Sequence, residues 1–267
     1  MNKTEYITGI LAINPELGTQ EIADRAGCTT ALVNHVRRSL VHEVVEPAVV
    51  GIISDTHIPF VHPEYLDFCK YTFERFGVTK VVHIGDLVDH HAGSRFASEL
   101  TAWNIEQELK LTKVELAPWF KAFPEVSLCM GNHDRIPARQ AKTVGISQSF
   151  MKTFEELYAL PVDWVCSRSF NIDGVHFDHG LNSGGMMGAK NTSLKMGCSY
   201  VQGHTHMHAG VAYNANVRGE TFFGMNVGCG IDQNAYAYNY AKGLRGEMVM
   251  GCGIVASGTE AYFIPMK

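Results

Sequence analysis

Apolar positions along the chain follow two periods, and the change between them divides it. From residue 1 to about 42 they recur at helical spacing. Tyr6, Ile7, Ile10 and Leu11 share one face, and Asn14-Pro15 marks a stop. Thr19 to Ala26 predicts a second, short helix with Thr19 as its N-cap, ended by a left-handed turn at Gly27. Leu32, Val33 and Val36 predict a third, capped by Thr29 or Thr30. Residues 43–48 read as a linker. From Val49 the pattern turns to short apolar runs at Val49–Ile53, Val78–Ile84 and Val126–Met130. Helical spacing fills Pro63–Phe76 and about 94 to 123 between them. Strands alternating with helices imply βαβ units. Beyond residue 168, Ser169–Asp178, Ser199–Gln202, Gly210–Asn216, Thr221–Val227, Met248–Val255 and Glu260–Ile264 read as strands with Gly-rich turns and few helices. Two packed sheets with flanking helices, of α/β (α+β) class, satisfy residues 49–267 behind a small all-α domain of residues 1–42.

Composition narrows the class without changing that division. Of 267 residues, 46% are hydrophobic and 18% charged, an ordinary globular balance long enough for a sizeable core. Seven dispersed cysteines, odd in number and with no Cys-x-x-Cys, argue against a disulfide framework and a thiolate zinc site. No apolar run reaches the roughly 18 residues of a membrane span, and Met1 to Ile10 has too short an apolar core for a signal peptide. A soluble cytoplasmic protein is expected. The net charge of −5 gives no global pull toward nucleic acid, so any such contact must be local or metal-assisted.

Chemistry-bearing residues gather at strand ends. Gly131-Asn132-His133-Asp134 follows one apolar run, and Asp55-Thr56-His57, Gly85-Asp86-Leu87-Val88-Asp89, His179-Gly180 and Gly203-His204-Thr205-His206 follow others. Asp55 and His57 are two apart, as are His204 and His206, so extended backbone would send each pair to one side. Open α/β sheets gather ligands at the carboxyl ends of their strands. Carboxylate, amide and imidazole without thiolate suit Mn, Fe, Zn, Ni or Mg.

In this order the five blocks resemble those of the calcineurin-like metallophosphoesterase family, over roughly residues 49–267. The resemblance implies a two-sheet αββα sandwich and two divalent ions, most naturally Mn. Asp55, His57 and His206 would hold one, Asn132, His179 and His204 the other, with Asp86 bridging. Two ions about 3.5–4 Å apart can bind a phosphoryl oxygen, acidify a shared water and stabilise an in-line displacement. His133 would bind the phosphoryl oxygen and protonate the leaving alkoxide. Asp89 would orient His133 through its other ring nitrogen, and Asp134 would support the loop.

Members acting on phosphoproteins usually continue the second block Asp-Arg-Gly. Here it reads Asp89-His90-His91, so the phosphate-gripping Arg is missing and a protein phosphatase is disfavoured. His90 and His91 read as pocket lining. Ser183 to Lys190, rich in Gly, reads as a mobile loop touching the leaving group or as a plain connection, and Arg135, Lys190 and Lys195 are candidate phosphate contacts. His35, His42, His62, His83 and His176 read as structural or solvated, His176 facing away from His179.

Residues 1–42 resemble the helix-turn-helix family, with small Ala23, Gly27 at the turn, and Val33 and Val36 packing the third helix back. That would expose Thr30, Ala31, Asn34, His35, Arg37 and Arg38, of which Thr30, Asn34, Arg37 and Arg38 are the candidate DNA contacts. The alternative is a helical cap or dimerisation module. Three functions stay open: a phosphodiesterase acting on nucleic acid, as nuclease or end-processing phosphatase; a phosphatase or phosphodiesterase of small nucleotides with residues 1–42 as lid or dimer contact; and a non-catalytic DNA-binding regulator. The combination also resembles phage-encoded members, which would place it in a host cytoplasm.

Overall fold

A computed structural model of the chain describes residues 2–14, 16–40, 47–93, 103–235 and 247–267, without the side chains of residues 12 and 38–40. It divides into two compact units, Met1–Glu46 and Pro47–Lys267.

The first unit holds three helices, α1 (Lys3–Ile13), α2 (Thr19–Ala26) and α3 (Thr30–Leu40). Asn2 caps α1 with a full capping box to Glu5. Thr19 is the first helical residue of α2, not its cap: Gly18 stands before it with no side-chain bond to give. Gly27 ends α2 at φ 57°, left-handed as expected. Thr29 Oγ1 accepts from the Leu32 N–H at 3.3 Å and so caps α3. Ile7, Leu11, Ile22, Ala23, Val33 and Val36 form its buried core, the apolar faces that the helical spacing defines. Residues 41–46, most of the expected linker, lie outside the described residues.

In the second unit the elements run β1 (Val49–Ile53), α4 (Tyr65–Phe76), β2 (Lys80–His83), α5 (Ile105–Ala122), β3 (Val126–Cys129), α6 (Ile136–Thr143), α7 (Phe154–Tyr158), β4 (Trp164–Ser167), β5 (Ser169–Ile172), β6 (Val175–Asp178), α8 (Gly188–Met196), β7 (Ser199–Gln202), β8 (Ala209–Ala215), β9 (Thr221–Val227), β10 (Gly251–Ala256) and β11 (Glu260–Pro265). One sheet has the order β11-β10-β1-β2-β3-β4, the other β5-β6-β7-β9-β8. β1 to β4 run parallel, as do β6, β7 and β9. The stretch Ser169–Asp178 is two antiparallel strands, because Asp173 and Gly174, both at positive φ, turn the chain back. Of the helical stretch expected from residue 94, 94–102 lie outside the described residues.

Strand alternation builds both layers of core. Val50 and Ile52 face the second sheet and pack with Val82, Phe177, Val201, Phe223 and Met225. Ile53 and Leu128 face Tyr65, Phe73, Leu116 and Trp119 of α4 and α5. Each such fully buried side chain contributes about 1.5–3 kcal/mol, so the parallel strands are fixed in register and their carboxyl ends held at one edge. No helix among the described residues is long and apolar enough to cross a membrane.

Candidate metal centre

The turns after β1, β2 and β3 carry Asp55 and His57, Asp86 and Asp89, and Asn132 and His133. β6 and β7 bring His179, His204 and His206 from the other sheet. Extended geometry does not do the converging. Asp55, His57, Asp86 and His204 all sit at positive φ, 45°, 47°, 50° and 65°, where a side chain costs about 1–3 kcal/mol. Asp and His bear that conformation better than most residues. Backbone bonds hold it in place: Asp55 N to Gly85 O at 3.2 Å and His57 N to Asp86 O at 3.0 Å.

Two clusters result. One donor atom each from Asp55, His57, Asp86 and His206 lie within 4.8 Å of one another, and so do those of Asp86, His179 and His204. Asn132 Oδ1 joins the second at 3.1 Å from His179 Nε2. Asp86 belongs to both: its Oδ2 lies 3.6 Å from His57 Nε2 and 3.1 Å from His179 Nε2. Glycines allow this closeness. A Cβ on Gly131 would overlap the Asp86 carboxylate, and one on Gly203 the Asp55 carboxylate. A third cluster joins His57, Asp89 and His133. Asp89 Oδ1 sits 2.6 Å from His57 Nδ1 and 3.1 Å from His133 Nδ1, which also donates to the Asp89 carbonyl at 2.7 Å. Asp134 turns inward and accepts from the Asp86, Gly131 and Val88 N–H groups at 2.9, 2.8 and 3.1 Å, tying the β2 and β3 turns together.

The electrostatics are those of a crowded, mutually compensating set. Burial raises the Asp55 carboxyl, but the hydrogen bond and charge of His206 outweigh it and hold it at about 2. Burial likewise opposes Asp86 and Asp89, yet neighbouring imidazoles keep both well below the carboxylate range. Burial lowers His133 and His179, but carboxylates outweigh it, pushing His133 up to about 10 through Asp89 and Asp86, and His179 up to about 9 through Asp86. Oxygen and nitrogen donors at this density, all but free of water, fit a pair of divalent cations better than they fit a core.

Other sequence-predicted positions fall less centrally. His90 Nδ1 donates to the His133 carbonyl at 2.8 Å, and its Nε2 accepts from Tyr158 Oη at 2.6 Å. His91 is buried behind Asp89, its N–H held by Glu108 at 2.8 Å. Lys190 and Lys195 lie on α8, which begins at Gly188, so the last three residues of the expected loop, Gly188 to Lys190, are helix. Gly188 is small there because a Cβ would strike the Ser183 backbone. Arg135 Nε donates to Gly131 O at 3.3 Å. His176 faces away from His179 and pairs with Asn171 and Asp178. In the first unit Thr30 and Asn34 are exposed. Arg37 turns inward to the Leu17 carbonyl and lies 3.5 Å from Thr19 Oγ1, a use that helical spacing does not reveal. The Arg38 side chain lies outside the described residues. Sequence reasoning missed Ser54, whose hydroxyl donates to Asp55 Oδ2, and Glu108, an acid on the buried face of α5. The signal for Glu108 was its place on an otherwise apolar helical stripe.

Among solved structures, vacuolar protein sorting 29 of Cryptosporidium parvum is similar at 15% identity and TM-score 0.40, over 81% of this chain and 91% of that one. YfcE, a phosphoesterase of E. coli, is similar at 18% and 0.40, over 77% and 87%. Likeness at this level carries no argument about activity. No curated protein matches the chain. The model of the calcineurin-like phosphoesterase family matches residues 48–196, more than half of the chain. That span contains β1, β2 and β3 with the turns bearing Asp55, His57, Asp86, Asn132 and His133, and also His179. With those turns now seen to converge on one acidic, imidazole-rich centre, the chain belongs to the calcineurin-like phosphoesterase family.

Proposed function

We propose that this chain is a dinuclear-metal-dependent phosphoesterase that hydrolyses phosphodiester or phosphomonoester bonds, with nucleic acid as its substrate, as a nuclease or end-processing phosphatase. The observation that carries the reading is Asp86, one carboxylate within reach of both imidazole clusters. Asp55, His57, Asp86 and His206 would hold one ion and Asp86, Asn132, His179 and His204 the other; Mn would suit this oxygen-and-imidazole donor set. Such ions supply Lewis acidity toward phosphoryl oxygens and a nucleophilic water at neutral pH. His133 has the rest of the work. Its Nδ1 is committed to Asp89, so Nε2 is the nitrogen left to protonate the leaving oxygen, and a side chain 23% exposed is open to substrate. Asp89 holds that ring and the His57 ring together.

For nucleic acid, the support is the three-helix unit, whose α3 leaves Thr30 and Asn34 exposed as a helix-turn-helix reading helix would. Mn-loaded protein is expected to cleave DNA and bis-p-nitrophenyl phosphate. His133→Ala should lower turnover about 10²- to 10⁴-fold with metal content unchanged, and undiminished turnover would remove the mechanism. The inward turn of Arg37 favours a second reading, a small nucleotide as substrate. Deleting residues 1–42 separates the two: loss confined to DNA supports nucleic acid, equal activity on DNA supports the small substrate.

A further inference from the structure

The described residues leave one pair of arginines unused, and it borders the same pocket as His179 of the candidate metal centre. A polar pocket of about 170 Å³ opens beside His179 and is bordered by Arg135, Arg168, Asn182, Ser183 and Tyr200. The same two arginines border a neighbouring hollow of about 500 Å³ that continues past Lys152. Arg168 follows β4 directly. Its strand pairs with β3, Cys129 opposite Ser167, and Met130 N donates to Ser167 O at 2.9 Å. Arg168 therefore stands beside Met130, at the start of the turn that carries Asn132 and His133.

Neither guanidinium is held in an ion pair among the described residues. Arg168 is exposed and has no hydrogen bond or ion pair among the described residues. Arg135 commits only Nε, to Gly131 O, leaving its two terminal nitrogens as donors. Three acids line the same pockets, Asp178 the smaller and Asp134 and Glu155 the larger, and none of them forms an ion pair with either arginine. Asp178 accepts from Gly180 N at 2.7 Å and Tyr200 Oη at 2.5 Å. Asp134 is turned inward to three N–H groups. Glu155 is exposed on α7, beside the Cys166 thiol. Two guanidiniums with uncommitted nitrogens, lining the same two pockets, one of which also borders His179, form a recognition element for a tetrahedral oxyanion.

We propose that Arg135 and Arg168 form a second phosphate subsite, which takes the phosphate adjacent to the scissile one. The substrate class is then a phosphodiester chain and not an isolated phosphoester. This rests on the phosphoesterase reading above and deepens it. Arg168 is a specificity residue: it touches the neighbouring phosphate and leaves the reacting atoms to His133 and the metal ligands.

The test compares the dinucleoside monophosphate TpT, which has one phosphate, with pTpT and TpTp, which add one on either side, using Mn-loaded wild-type protein and Arg168→Gln. At least one of the phosphorylated dinucleotides should show a kcat/KM tenfold or more above TpT. Arg168→Gln should erase that advantage, with TpT changing less than twofold. Arg168→Lys, which keeps the charge and loses the fork, should keep only part of it. On longer single-stranded DNA, the salt dependence of binding should become shallower in Arg168→Gln by about one contact's worth. Equal turnover of TpT and both phosphorylated forms, or an advantage that survives Arg168→Gln, overturns the subsite while leaving the phosphoesterase standing. No turnover of TpT or bis-p-nitrophenyl phosphate by metal-loaded wild type overturns the phosphoesterase reading, and the subsite with it.

Discussion

Asp89 reaches His57 more closely than it reaches His133, the residue that the family resemblance pairs with it. Its Oδ1 is 2.6 Å from His57 Nδ1 and 3.1 Å from His133 Nδ1. By holding Nδ1 of His57 it fixes that ring with Nε2 toward Asp55 and Asp86, at 4.0 and 3.6 Å. One buried carboxylate thus orients both the His57 imidazole of the first cluster and His133, the proposed proton donor.

Asp89→Asn should therefore damage two functions at once. Metal affinity is expected to fall about 10- to 100-fold, the usual cost of losing a group that orients a ligand histidine, and turnover at saturating metal should fall as well. His133→Ala should show only the second effect. Metal titration followed by kcat measurement separates them, and an Asp89→Asn protein with wild-type metal affinity would show that the His57 contact has no role.

Gly203→Ala should cost metal binding while the fold survives. The added methyl would overlap the Asp55 carboxylate and crowd Ser54 Oγ at 2.5 Å, in a turn where β1, β2 and β7 meet. A loss of more than about tenfold in metal affinity, with near-native circular dichroism, is the expected outcome. Unchanged metal stoichiometry at low micromolar metal would contradict it.

Metal binding should release protons, in a window set by His179. The neighbouring Asp86 outweighs burial and pushes this imidazole up to about 9 from its ordinary 6.5, so at neutral pH it is a cation in the metal-free protein. The His179–Asp86 pair stabilises the metal-free fold fully below about 6.5 and loses that contribution as pH rises through about 9. A metal needs the neutral ring, so apparent affinity should climb by about tenfold per pH unit, for one proton, as pH rises toward about 9, and flatten above. Calorimetric titration in two buffers of different ionisation enthalpy at pH 7.5 counts the protons; a count of zero would contradict the assignment.

Much of this was legible in the sequence where local rules suffice. β1, β7 and β9 have the ends expected of them; for β1 the reason is that a strand buried on both faces reads as an apolar run. Gly27 ends α2 because only its left-handed turn fits there. The misses are tertiary. β4 is four residues with only two of them strongly apolar, and it becomes a strand by pairing with β3. The start of α8 reads as a loop because Gly184, Gly185 and Gly188 are turn formers, yet Gly188 closes on the Ser183 backbone and Gly224 of β9 is small so that Ala189 of α8 can lie close on it. Asp55 and His57 do converge, but through two left-handed residues that alternation cannot anticipate. The engagement of Arg37 with Leu17, and the place of Arg168 beside Met130, depend on contacts between segments far apart in sequence.

Everything chemical depends on Asp86 serving two ions. Crystals grown with Mn and measured at its absorption edge test this most directly. Two anomalous peaks about 3.5–4 Å apart, one against Asp55, His57 and His206, the other against Asn132, His179 and His204, with an Asp86 oxygen touching both, are the expected result. A single peak, or two that do not share Asp86, in a crystal saturated with metal would contradict the dinuclear centre.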